Sequence, residues 1–188
     1  MTSSNNTPSY PTQKAEKIAG EVQAFIDSRR SLMLSTLTPE GEPYASYAPF
    51  TFVDGQIYVL LSEIAIHAVN LQINKVASVL IIEDEDSADE LFARRRVSYS
   101  VKAELIDTET EAWKHGIKCL SARLGPRVDG LSQLSDFKLF KLSPQRGRYV
   151  KGFGRAFALE SDSLSGQGIT HLRDGHKRRT PQNTVSQA

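Results

Sequence analysis

The chain has 188 residues, of which 39% are hydrophobic and 24% charged, and its formal net charge is +1. This length suits one ordinary domain that folds without disulfides or metal ions as staples. The near-neutral charge excludes a protein whose whole surface binds polyanions, so we expect no nucleic-acid partner. The single cysteine, Cys119, excludes an internal disulfide and favours a reducing, cytoplasmic setting. Because no run approaches the roughly 18 apolar residues of a membrane span, and no signal-peptide pattern opens the chain, we expect a soluble protein.

The first half of the chain predicts one helix and then a series of short strands. Residues 1–12 are rich in Ser, Asn, Thr and Pro and predict a disordered tail, whereas helical spacing of apolar residues from position 13 predicts about four turns of helix. Three β-rich runs follow, separated by "PEGEP" and by the hairpin signal Asp54-Gly55, and they predict an antiparallel meander over 31–38, 44–53 and 56–62. Ser62 is a predicted N-cap of a short helix.

The second half continues this alternation of short elements. The apolar run 76–84 predicts a strand buried on both faces. A capping-box pattern from Ser87 to Glu90 predicts a helical turn that carries three consecutive arginines, 94–96, to the next strand. A second capping box, Thr108 to Glu111, predicts a helix ended by Gly125-Pro126, in which Cys119 is expected to be a buried apolar side chain. The last two predicted strands cover 137–144 and 147–160.

Hairpins rather than parallel crossovers connect most of these elements. This pattern predicts an α+β fold dominated by β-structure, namely an antiparallel split β-barrel with short flanking helices. We expect the barrel domain to cover residues 13–160, followed by a C-terminal loop and tail over 161–188.

Most single chemistry-bearing residues have an ordinary structural interpretation. The stretch "KGFGRAF" lacks the strand-to-helix context of a dinucleotide fingerprint, so its glycines are expected to permit a bend or bulge. His67 is expected to be packed or partly exposed on its helix, and His115 to lie on a helix surface. The C-terminal stretch "GITHLRDGHKRRT" carries two of the four histidines, but a polar tail of this kind is usually disordered. Composition alone therefore does not assign it a ligand role.

Several blocks taken together carry a resemblance to a known family. They are "RSLMLSTLTPEGEPYASYAPF", "LLSEIAIHAVNLQINKVASVLIIEDE", "LFARRRV", "DGLSQLSDFKLFKLSP" and "YVKGFGRAF". In order and spacing they resemble the pyridoxamine-5′-phosphate-oxidase-like, FMN-binding split-barrel superfamily, and within it the bacterial haem-utilisation branch of HutZ/HugZ-type haem-degrading proteins. The resemblance covers about residues 14 to 178. It implies a homodimer with ligand sites at the subunit interface. It also implies haem-oxygenase activity, for which an unidentified donor supplies the electrons.

The resemblance also implies roles for individual residues. His176 matches the axial ligand of the haem iron, with His171 as the alternative nearby in the sequence. Asp136 matches an acceptor for the other ring nitrogen of that histidine, although by itself it resembles a turn residue at a strand start. Arg96 matches a pocket arginine that hydrogen-bonds a distal ligand or a haem propionate, although each arginine of a charge run is as easily a solvated residue.

Two other functions remain open at this stage. A haem carrier or storage protein would bind haem without turnover, and an FMN-dependent oxidoreductase would follow the wider superfamily. The segment "SEIAIHAVN", where the resemblance places the FMN phosphate, offers Ser62 and His67 but no Lys or Arg. A helix N-terminus at Ser62 could still bind a phosphate through backbone N–H groups. We therefore expect haem as the cofactor and FMN as the weaker alternative.

Overall fold

The computed structural model describes residues 12–161, 163–165 and 167–172, and it contains one antiparallel sheet. The strands are β1 (Ser31–Leu37), β2 (Pro43–Pro49), β3 (Thr51–Val53), β4 (Gln56–Ser62), β5 (Val76–Ile82), β6 (Arg96–Ile106), β7 (Phe137–Val150), β8 (Ala156–Leu159) and β9 (Ile169–Leu172). The helices are α1 (Thr12–Asp27), α2 (Ile66–Ile73), α3 (Glu111–Leu124) and α4 (Arg127–Ser132). Short 3₁₀ turns cover Glu85–Ser87, Leu91–Ala93 and Ser163–Ser165. The predicted split barrel with short helices is confirmed.

The sheet curls until its two edges meet. Its strand order is β2-β1-β5-β6-β7-β4-β3, so β2 and β3 lie at opposite ends of the hydrogen-bonded path. Only Phe50 separates these two strands in the chain, and its side chain is fully buried. Because one residue cannot cross a flat sheet of seven strands spaced about 4.8 Å apart, the sheet has to close on itself. Both pairings of the predicted meander are present, β1 with β2 and β3 with β4, but the single strand predicted over 44–53 is divided at Phe50 into β2 and β3.

Strand alternation places one main core inside the curled sheet. Alternate residues of β1, β4 and β6 point inward and are buried, and α1 covers one open end with apolar side chains such as Val22 and Ile26. Arg123 of α3 holds the end of α1, where its Nη2 donates to the carbonyl oxygens of Ile26 at 3.0 Å and Asp27 at 3.2 Å, and also to that of Arg29. A second, smaller core lies under α3 and α4 and includes Trp113.

Turn chemistry at the hairpins follows the sequence. Asp54 and Gly55 both have positive φ, 51° and 72°, which is the type I′ geometry that an Asp-Gly pair favours. They join β3 to β4, as predicted. Gly41, with φ 85°, lies in the turn between β1 and β2.

Two strand predictions were wrong. Strand β5 is buried on one face only, because its other face lies on the outside of the curled sheet, which this chain alone leaves uncovered. Residues 137–150 form one continuous strand and not two, because β7 pairs with β6 from Leu139 to Val150, along the whole length of β6. The ladder shifts register at Ser100/Val101, where Gln145 is the extra residue, and such a bulge accommodates the neighbouring Pro144.

Three capping predictions and one burial prediction also differ from the structure. The N-cap of α3 is Thr110, whose hydroxyl accepts from the Trp113 N–H, and not Thr108. The N-cap position of α2 is Ala65, which makes no side-chain cap, so Ser62 does not cap this helix. Residues 87–95 form no continuous helical turn, since two separate 3₁₀ turns flank an extended stretch. Cys119 is half-buried, and its Sγ lies 3.7 Å from His115 Nε2.

Candidate functional site

Strands β6, β7, β8 and β9 are neighbours in the sheet, and one end of each lies at the same edge. Two rows of side chains cross these strand ends, one on each face of the sheet. In register, Val97 of β6 is followed by Tyr149, Phe157 and His171 on β7, β8 and β9. The first three of these side chains belong to the buried core. The adjacent row, one residue away on each strand, consists of Arg96, Val150, Ala156 and Leu172. Because successive side chains of a strand point to opposite faces, this second row faces away from the core.

A cavity of about 610 Å³ lies over this outward row. The loop between β7 and β8 closes one side of it, and the exposed rings of Phe92 and Phe153 stand at its rim. The sequence "KGFGRAF" forms this loop, with φ values of 150° at Gly152 and 69° at Gly154, so its glycines shape a hairpin connection rather than a bend within a strand. The described residues that line it include Ser98 and three arginines, Arg96, Arg148 and Arg155, and no acidic side chain. The cavity therefore combines apolar walls with excess positive charge.

The structure separates the three consecutive arginines that the sequence singled out. Arg94 turns toward acidic residues, donating to the Glu83 carbonyl oxygen and to Glu85 at 3.0 Å. Arg95 lies on the core side, where its guanidinium is 5.5 Å from the centre of the Phe25 ring. Arg96 alone of the three lines the cavity, with its Nη1 donating to the Arg94 carbonyl oxygen at 2.9 Å.

Strand alternation fixes the face on which the first of the two C-terminal histidines lies. His171 belongs to the core-facing row, and its ring centre lies 4.9 Å from that of Phe157. Leu172, the next residue, lines the cavity on the opposite face. His176 lies outside the described residues. It follows Leu172 by four positions in the sequence.

Asp136 lies at the other end of β7, directly before Phe137. Its Oδ2 accepts a hydrogen bond of 2.6 Å from the Ser62 hydroxyl, and its carbonyl oxygen accepts from the Glu63 N–H at 2.7 Å. These contacts join the end of β4 to the start of β7 and fix the half-buried carboxylate. The sequence suggested that the Ser62 hydroxyl could donate a hydrogen bond to a bound phosphate, but in the structure this hydroxyl donates to Asp136.

Arg96 and Asp136 are far apart within one chain. Arg96 pairs with Val150 at the last residue of β7, whereas Asp136 precedes the first. The 13 residue steps from Phe137 to Val150 correspond to roughly 43 Å of strand at about 3.3 Å per residue. One chain therefore does not bring these two predicted site residues to a common ligand.

The remaining histidines have ordinary environments. His67 is half-buried on α2, and burial lowers the pKa of its imidazole. His115 is exposed on α3, where its ring meets the Tyr58 ring edge-on at a centroid distance of 6.1 Å. Within the described ranges, no three His, Cys, Asp or Glu side chains cluster closely enough to hold a metal ion. A larger groove of about 670 Å³ runs along α3, but its lining residues combine Lys114 and Lys118 with Asp129 and include no arginine and no histidine.

Sequence reasoning missed Arg148 and Arg155. Arg148 extends the outward-facing positions of β7, in register with Ser98, and Arg155 ends the loop before β8. The signal for Arg148 was its alternation with Tyr149 and Val150. Because the sequence predicts a break at residues 145–146, the alternation does not by itself indicate which face of β7 carries Arg148.

No helix in the part of the chain that the structure describes is both long and apolar enough to span a membrane.

Comparison with known proteins assigns the fold to a family. Residues 18–151 match the family model described as pyridoxamine 5′-phosphate oxidase. The chain belongs to this family. A family relative named heme oxygenase HutZ, from Vibrio cholerae serotype O1 (strain ATCC 39315 / El Tor Inaba N16961), is 40% identical over 169 residues, which is 88% of this chain and 95% of the relative.

Solved structures agree with this family assignment. The crystal structure of HutZ from Vibrio cholerae, described as the heme storage protein, is 41% identical and superposes with a TM-score of 0.65 over 67% of this chain and 89% of that one. Campylobacter jejuni ChuZ is 28% identical, with a TM-score of 0.77 over 89% of this chain and 70% of that one. A heme binding protein from Mycobacterium smegmatis is 25% identical, with a TM-score of 0.69 over 80% and 60% of the two chains.

Proposed function

We propose that this protein binds haem and degrades it oxidatively. The observation that carries the proposal is the 40% identity to heme oxygenase HutZ along 88% of this chain and 95% of the relative, since a match of this extent leaves little of either protein unmatched. The family match over residues 18–151 includes Arg96 and Asp136, two of the residues to which the resemblance assigns a role. The expected setting is the cytosol, with an electron donor outside this protein.

The cavity suits the chemistry of haem. Haem is a flat apolar ring that carries two carboxylates on one edge. The cavity offers apolar side chains and exposed phenyl rings together with three guanidinium groups, and its volume of about 610 Å³ falls in the range of ligand sites. Leu172, the last residue of β9, lies in its wall. These features support a haem site here.

We assign roles to three residues at this site. His176 is the axial ligand, and His171 is the less suitable candidate because it belongs to the core-facing row. Asp136 of the facing subunit accepts a hydrogen bond from the other ring nitrogen of His176, which fixes the tautomer. Arg96 donates hydrogen bonds on the face of the haem ring opposite to the axial ligand. Bound haem itself would supply the oxygen chemistry, while the protein orients the ring.

This assignment requires a homodimer, because one chain keeps Arg96 and Asp136 at opposite ends of β7. Exposed apolar residues support such a pairing. Met33, Tyr47 and Val76 are between 54% and 65% exposed on the outside of the sheet. A second exposed apolar set lies on α2 and consists of Ile66, Val69 and Ile73. Covering these surfaces with a second copy would remove apolar area from water. Light scattering should return about twice the 20.8 kDa chain mass, and a monomer at micromolar concentration would contradict the assignment.

One alternative is haem storage without turnover. It is favoured by the description of the solved Vibrio cholerae HutZ structure as a heme storage protein. An FMN-dependent oxidoreductase is a third candidate, because the family takes its name from pyridoxamine 5′-phosphate oxidase. We expect FMN to bind weakly, since "SEIAIHAVN" has no Lys or Arg and the Ser62 hydroxyl donates to Asp136.

Haem titration followed by reduction with ascorbate in air separates these functions. Degradation predicts that the Soret band forms on titration and then decays with release of iron. A Soret band that persists through reduction would favour storage. Flavin absorption that survives extensive dialysis would reverse the ranking of haem and FMN.

Variants test the residue roles in the same assay. Loss of the axial-ligand signature is expected in His176→Ala and not in His171→Ala, and Asp136→Asn should weaken ligation. Arg96→Ala should keep haem but alter its turnover. If His171→Ala alone removed the ligand signature, the assignment to His176 would be wrong. If Arg96→Ala lost haem while turnover in the remaining complex stayed normal, Arg96 would bind a propionate instead.

A further inference from the structure

Two arginines of the cavity have no charge partner within the described ranges. The guanidinium group of neither Arg148 nor Arg155 makes a hydrogen bond or an ion pair in the part of the chain that the structure describes. By contrast, Arg94 pairs with Glu85, and Arg96 donates to a backbone carbonyl in the same cavity. An unpaired guanidinium that lines an apolar cavity keeps its full capacity for a bidentate interaction with a carboxylate.

Each arginine is held at the cavity by its backbone position. Arg148 stands on the outward face of β7, because its neighbour Tyr149 points into the core with an exposed fraction of 1%. Arg155 lies over Gly152, where an added Cβ would come within 2.9 Å of Nη2. Glycine at 152 therefore leaves the space in which this guanidinium lies. Both arginines line the same cavity as the exposed phenyl rings, and no acidic side chain among the described residues lines it to compete for them.

Resting on the proposed haem function, we propose that Arg148 and Arg155 bind the two propionate carboxylates of haem. A flat ring in an open cavity can enter in several orientations. Binding of the carboxylates by Arg148 of β7 and Arg155 of the β7–β8 loop selects the orientations in which the carboxylate edge of the ring lies against these two residues. Arg148 and Arg155 thereby position the ring, while the axial histidine and Arg96 act on its faces.

Haem with both propionates esterified tests this inference directly, because it keeps the ring and the iron and removes only the charge. Dissociation constants for haem and for its dimethyl ester are measured by Soret titration with the whole chain. The variants are Arg148→Gln, Arg155→Gln and the double variant. Arg127→Gln is the matched control, since Arg127 is also exposed and has no partner within the described ranges, but lies on α4 away from this cavity.

Wild-type protein and the Arg127→Gln control should bind haem about tenfold or more tightly than the diester, as expected for charge-assisted hydrogen bonds. Each single variant should reduce the ratio of the diester dissociation constant to the haem dissociation constant. The double variant should bring this ratio to within about twofold of unity, while its affinity for the diester stays unchanged. A wild-type ratio near unity would overturn the inference and leave haem binding intact, as would a double variant that kept the full ratio. Equal loss of both ligands in the double variant would indicate a structural role and also overturn it. Failure of wild-type protein to bind either ligand would overturn the proposed function itself.

Discussion

Two glycines in two helices should respond in opposite directions to the same substitution. Gly116 lies on the buried face of α3, where a Cβ would come 2.7 Å from Leu139 Cδ2 and 3.1 Å from Tyr58 Cδ1. Gly20 lies in α1, where a Cβ would meet no atom of the described residues within 4 Å. Alanine gains about 1 kcal/mol over glycine in a helix interior, so the outcome depends on whether the surroundings have room.

The surroundings of Gly116 have little room. Carbon atoms normally pack at about 3.5–4.0 Å, so the contact with Leu139 is too short by roughly 1 Å. Leu139 is fully buried beneath α3 and cannot turn toward solvent. Overpacking of this kind costs about 1–3 kcal/mol, which equals or exceeds the helical gain. We therefore expect Gly116→Ala to lower the free energy of unfolding by up to about 2 kcal/mol, and Gly20→Ala to raise it by up to about 1 kcal/mol.

Urea unfolding of haem-free protein measures both changes, at one fixed protein concentration because self-association would add to the apparent stability. Thermal unfolding should show the same order, with about 2–4 °C of midpoint shift per kcal/mol for a chain of this size. If Gly116→Ala stabilised the protein as much as Gly20→Ala, the close packing of α3 against the sheet would be refuted.

Two further substitutions test features of the core. Burial raises the pKa of Tyr99 to about 12; Ser163 partly offsets the rise, but no atom in the described part of the chain meets hydrogen-bond geometry with the hydroxyl. Tyr99→Phe should thus change the free energy of unfolding little at pH 7. Between about pH 10 and 12 the wild type should lose on the order of 2 kcal/mol of stability that the variant keeps, because tyrosine ionises first in the unfolded chain. Equal alkaline losses of stability in the two proteins would contradict this. Arg123→Met should destabilise by about 2 kcal/mol in urea because the end of α1 loses its donor, whereas Lys118→Met on the exposed face of α3 should change little, and equal effects would argue against the capping role.

Local signals in the sequence predicted much of the fold. The Asp54-Gly55 turn, the helix that begins the domain and the amphipathic α3 follow from short-range chemistry, and the structure confirms them. The closure of the barrel at Phe50 was not visible, because it depends on which distant strands pair. For the same reason the outer face of β5 was predicted to be buried, although a single chain leaves it uncovered.

The candidate site was predictable only in part. The family resemblance identified Arg96, and the structure places it in the cavity, apart from the adjacent Arg94 and Arg95. Arg148 was missed because its role depends on the register of a long, bulged strand, and a predicted break at residues 145–146 removed that register. The ligand assignment to His176 stays a prediction, since this residue lies outside the described ranges.

The length of β7 has a consequence for how substitutions in the two subunits of a dimer combine. In the proposed dimer each ligand site takes Arg96 from one subunit and Asp136 from the other, because the strand holds the two residues at its opposite ends. A mixed dimer of one Arg96→Ala subunit and one Asp136→Asn subunit would then keep both groups intact at one site and lose both at the other. Two defective copies of the chain would thus complement each other, whereas neither homodimer would contain an intact site.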